Sequence, residues 1–77
     1  MCPTSQTALR CLQHTARGHP GASSGERAAW ELLANFREGR QVNFADNFVR
    51  LDANGQRAVI QLLLDVATGK TTFSDLH

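Results

Sequence analysis

Cys2, Cys11, His14 and His19 gather both cysteines and two of the three histidines of this 77-residue chain into its first nineteen positions, as C-x8-C-x2-H-x4-H. Two thiolates and two imidazoles are a donor set that tetrahedral zinc accepts, so this series is the candidate metal site and zinc the candidate cofactor. Its spacing argues against that reading. Structural zinc sites commonly open on a C-x2-C to C-x4-C knuckle, whereas here eight residues intervene, and Cys11 and His14 would have to ligate from one helix face. An incidental cluster of free thiols and imidazoles is the simpler expectation.

Two further fragments resemble ligand-binding loops and fail on their context. Gly69-Lys70-Thr71-Thr72 looks like the tail of a phosphate loop, but the leading glycine of G-x4-G-K would fall on Leu64, and the preceding segment reads as helix, not strand. Asp52, Asn54 and Gly55 mimic the middle of a calcium loop, whose first ligand would be Arg50 and whose bidentate glutamate would be Gln61. Neither can serve. Both fragments read instead as helix stops and caps. No serine or cysteine lies in a nucleophile motif, tyrosine is absent, and Glu31, Glu38, Asp46 and Asp65 fall where solvated helix faces and caps are expected, so a non-enzymatic protein is expected.

The elements that would position these residues are helical. Leu9, Leu12 and Ala16 form one stripe of a first helix over about 5–17, with Gly18 placed to stop it. Gly18, Pro20, Gly21, Ser23, Ser24 and Gly25 have linker composition, and Ser23 with Glu26 has capping-box spacing for a second helix. Ala29, Leu32, Leu33 and Phe36 give that helix one buried face, with Gly39 ending it; Asn43 and Asp46 open a short third helix carrying Phe44, Phe48 and Leu51 on one side. A fourth helix over about 55–68 buries Val59, Leu62, Leu63 and Val66. Ile60, Leu64 and Ala67 add a second apolar face, leaving Arg57, Gln61, Asp65 and Thr68 as a narrow polar stripe. A helix so apolar is either the central element of a bundle or buries its extra face against another chain; the central position is the expectation here, because the first helix also needs a partner.

The chain also echoes itself. Gly25, Arg27, Ala28, Leu32, Leu33, Gly39, Phe44 and Asp46 recur as Gly55, Arg57, Ala58, Leu62, Leu63, Gly69, Phe73 and Asp75. Shared capping chemistry accounts for the glycines and acids without duplication, but not for the paired arginines or Leu-Leu steps. The expected fold is therefore an all-α bundle of about four helices in a single domain. Residues 1–24 supply a helix and joint, and 25–77 supply a helical core of two related hairpin units, Gly25–Asp46 and Gly55–Asp75.

With 8 Lys and Arg against 7 Asp and Glu, the net charge of +1 argues against salt-driven nucleic-acid binding by the whole domain. No stretch approaches the ~20 apolar residues of a membrane span, and without a secretion signal cytoplasm is the expected compartment. The leading functional expectation is a protein-interaction or regulatory module that buries Trp30, Ile60 and Leu64 against a protein partner or a second copy, although for Trp30 alone core filling is the first expectation. Two alternatives accompany it. One is a DNA-associated regulator in which a helix-turn-helix-like segment works with phosphate contacts from Arg37, Arg40 and Arg50. The other is a zinc-stabilised version of either.

Overall fold

Three helix starts are closed by side chains at the offsets that capping requires. Asn43 Oδ1 accepts the Asp46 N–H at 3.0 Å, and Asp52 Oδ1 accepts the Gly55 N–H at 2.7 Å. Thr72 and Asp75 cap each other: the Asp75 N–H donates to Thr72 Oγ1 at 3.3 Å, and the Thr72 N–H donates to Asp75 Oδ2 at 3.1 Å. The computed structural model, which describes residues 2–16 and 24–76, accordingly holds α1 (Pro3–Ala16), α2 (Ser24–Glu38), α3 (Phe44–Arg50), α4 (Ala53–Ala67) and a 3₁₀ turn (Phe73–Leu76). The fold is all-α, a small four-helix bundle.

The two expected helix stops are left-handed glycines. Gly39 has φ 70°, and its N–H returns to the Asn35 carbonyl at 3.0 Å. Gly69 has φ 78°; its N–H meets the Val66 carbonyl at 3.1 Å while Lys70 N–H meets that of Asp65 at 2.8 Å, the paired closure of a Schellman motif. An L side chain at either position would be strained, which explains why the repeated stretches both keep glycine there. The expected capping serine, Ser23, and the Gly/Pro/Ser-rich joint around it lie outside the described residues.

Packing departs from expectation at α4. The first helix, not the fourth, lies between others: α1 packs against both α4 and α2, and α2 in turn holds α3 and the 3₁₀ turn. The core joins Ala8 and Leu12 of α1, the expected face of α2, and Ala58, Val59 and Leu62 of α4, closed by Leu51 and Leu76. Because α1 fills the groove beside α4, the second apolar face of α4 has no neighbour within the chain, and Ile60 and Leu64 are each 54% exposed. Trp30 likewise fails to fill the core, with 51% of its surface exposed. A third correction concerns Asp65, expected on a solvated stripe and in fact fully buried. On α3 the expected single side divides: Leu51 is buried, Phe48 half-buried, and Phe44 exposed and stacked on Phe48 with ring centroids 5.7 Å apart.

Candidate functional site

The outward face of α4 is set by its two ends and by one anchor between them. At the start, the Asp52 cap fixes the first turn, and Gly55 lets it pass close to Leu51: a Cβ there would lie 3.2 Å from the Leu51 Cβ. At the other end the Schellman closure stops the helix after Ala67. At about 100° per residue, Gly55, Ala58, Val59, Leu62 and Asp65 share the buried side, so Ala53, Arg57, Ile60, Leu64 and Ala67 fall on the opposite side. All five are exposed. Sequence reasoning singles out Ile60 and Leu64 here but not Ala53 or Arg57; their spacing from Ile60 was the available signal.

The anchor is Asp65. Its Oδ2 accepts the Ser5 hydroxyl at 2.6 Å, the Thr4 hydroxyl at 2.7 Å and the Cys2 thiol at 3.5 Å, all from the first turn of α1. Its Oδ1 accepts the Gln61 amide at 2.8 Å, one turn earlier on α4. Ser5 is itself fully buried, so the clasp joins the start of α1 to the end of α4 inside the protein. These donors, the Ser5 and Thr4 hydroxyls foremost, stabilise the carboxylate and hold its pKa down to about 2. The negative charge also sits at the N-terminal end of α1, where the helix dipole favours it. No local pattern announces this arrangement, since the partners are 60 residues apart.

Trp30 borders a different surface. It lines a shallow groove of about 360 Å³ with Gln13 and Ala16 of α1 and Leu33, Ala34, Arg37 and Glu38 of α2. The Arg40 guanidinium lies over its ring, 5.2 Å from the centroid, while Asn35 Nδ2 holds the Arg40 carbonyl at 2.8 Å. A second groove, of about 500 Å³, runs between α1 and α4 past Thr7, Cys11, Asn54 and Arg57. The lining of neither groove brings Trp30 together with Ile60 or Leu64.

The remaining sequence candidates are placed as follows. Cys2 takes part in the Asp65 clasp, whereas Cys11 stands nine residues further along α1, a rise of about 13 Å. Both cysteines are free, and the Cys11 thiol approaches the Asn54 carbonyl at 3.9 Å. His14 is exposed in the last turn of α1, and His19 lies outside the described residues. Among the described residues, no three His, Cys, Asp or Glu side chains converge as a metal site would require. The three arginines each have a partner within the chain: Arg37 Nε donates to the Leu76 carbonyl at 2.7 Å, Arg40 covers Trp30, and Arg50 pairs with Asp46 at 3.1 Å. No helix among the described residues is long and apolar enough to cross a membrane.

Compared with protein-family models, with curated proteins and with solved structures, the chain matches none.

Proposed function

We propose that the protein is a small, non-enzymatic, cytoplasmic interaction or regulatory module whose working surface is the outer face of α4. The observation that carries this reading is the exposure of Ile60 and Leu64 together, one helical turn apart, on a helix whose opposite side is closely packed. Neighbouring apolar side chains left in water on an otherwise well-capped helix mark a surface that another protein covers. The half-exposed Trp30 offers a second, separate anchor of the type enriched at interface hot spots. The linings of the two grooves support the non-enzymatic part, since neither contains a histidine to act as general base. The related stretches bear on it too: Ala34 of α2 is buried where its counterpart Leu64 is exposed, so the apolar surplus belongs to the second unit.

A photo-crosslinking residue placed at position 60, with another at the exposed Arg10 as control, tests this in cells that express the protein natively. The expected result is a discrete protein adduct from position 60 that disappears when Leu64→Asp is added. Equal adduct patterns from positions 60 and 10 would overturn the reading.

A further inference from the structure

The exposed residues of α4 have a regularity beyond amphipathicity. Ala53, Arg57, Ile60, Leu64 and Ala67 follow one another at intervals of 4, 3, 4 and 3 residues. Alternating steps of three and four define the seam of two helices packed side by side, where each knob enters a hole on its neighbour. The seam is large in the middle, at Ile60 and Leu64, and small at both ends. Between middle and end it carries one charge, Arg57.

We infer that the occupant of this face is the α4 helix of a second copy of the chain, running antiparallel about a twofold axis between Ile60 and Leu64. This rests on the interaction reading and names its partner. The axis sets Ile60 of each copy against Leu64 of the other, so the two largest apolar side chains cover one another twice. It also sets Arg57 of each copy against Ala67 of the other, where the short side chain leaves room for the long one.

The charges are complementary in this direction alone. The last turn of α4 contains no basic side chain, while the aligned peptide dipoles make that end of the helix negative. Antiparallel pairing brings the Arg57 guanidinium of the other copy to it. Parallel pairing would instead place Arg57 against its own counterpart, two like charges in one seam. Arg57 is exposed and absent from the single ion pair found among the described residues, that between Arg50 and Asp46. The isologous symmetry expected of a dimer thus satisfies both copies with one contact set.

The seam is about 22 Å long, the length of a 15-residue helix. A standard interface covers about 800 Å² per partner, a sixth of the 4857 Å² that this chain exposes, and one helix face covers less. The dimer is therefore concentration-dependent, with a Kd on the order of 10–100 µM.

Sedimentation equilibrium of the purified full chain, from about 1 µM to 1 mM, tests the pairing. The wild type is expected to pass from the mass of one chain to that of two. Leu64→Asp should raise the Kd at least about tenfold, and so should Arg57→Glu. Ala67→Lys alone should weaken association by opposing Arg57, yet the double variant Arg57→Glu/Ala67→Lys should return to within about threefold of wild type, a coupling that lost folding would not produce. Unchanged far-ultraviolet circular dichroism verifies that each variant is folded. A monomer at every concentration, a dimer indifferent to Leu64→Asp, or failure of the double variant to recover would overturn the inference. A strict monomer that still crosslinks from position 60 to a different protein would leave the interaction reading standing; a monomer without any such adduct would remove both.

Discussion

Leu76→Ala is expected to destabilise the protein by about 2–4 kcal/mol, the cost of emptying a fully enclosed leucine site. A domain of this size holds only ~3–5 kcal/mol in its core, so most of the margin would be lost. At roughly 4–8 °C per kcal/mol, the fall in Tm is about 10 °C or more. Leu76 belongs to a 3₁₀ turn of only four residues, yet it is fully buried. Three contacts deliver it to the core. Thr72 and Asp75 cap the turn reciprocally, Phe73 stacks on Phe36 with centroids 5.5 Å apart, and Arg37 holds the Leu76 carbonyl. Thermal denaturation followed by circular dichroism checks the prediction against Leu64→Ala, the same chemical change at a half-exposed site, which should stay within about 0.5–1 kcal/mol. Equal Tm values for the two variants would show that the 3₁₀ turn does not plug the core.

Loss of the Asp65 clasp is the second large effect. Ser5→Ala removes one buried hydrogen bond to a charged group and should cost about 2 kcal/mol. Asp65→Ala should be less stable still, because it takes the shared acceptor away from Ser5, Thr4, Cys2 and Gln61 at once. The clasp also makes stability depend on acid. The folded pKa of Asp65, about 2, lies below the ordinary 3.8, so the folded state favours the ionised form. That contribution is complete above the unfolded value, near pH 4, and is lost as the pH falls through the folded value, near pH 2. Urea midpoints measured between pH 2 and 6 should therefore fall toward low pH more steeply for the wild type than for Asp65→Asn, which cannot titrate. Superimposable pH profiles would disprove the linkage.

Much of the fold was legible because helix ends are local. Gly39, Gly69, Asn43 and Asp52 announce stops and starts within a few residues of themselves, and the structure uses each of them so. The same locality explains the resemblance between the two stretches, which share a left-handed glycine followed by a capped turn. They diverge where packing decides the length, with seven residues in α3 against four in the 3₁₀ turn. The buried face of α2 was equally plain, since a stripe of Ala29, Leu32, Leu33 and Phe36 fits only a helix.

What remained hidden depended on which helix lies next to which. Asp65 stands four residues after Gln61 and three before Thr68, a spacing that reads as a wet polar stripe. Only the arrival of Thr4 and Ser5 from the other end of the chain turns that stripe inward. The thin stripe of α1 similarly suggested a peripheral helix, yet its small residues Ser5 and Ala8 permit the close approach that lets it sit between α2 and α4. Once α1 takes that place, Ile60 and Leu64 have no internal partner and become the candidate site. The surplus was visible in the sequence; the direction in which it points was not.

That surplus is the centre of the account, and oxidative footprinting read by mass spectrometry measures it most directly. Hydroxyl radicals label exposed aliphatic side chains, and Val49, 70% exposed on α3, supplies an internal reference. In dilute purified protein, Ile60 and Leu64 should be labelled at rates comparable with Val49. In the cells that make the protein, the account predicts that both become protected several-fold while Val49 does not. An unchanged ratio of Leu64 to Val49 labelling between the two settings would contradict it.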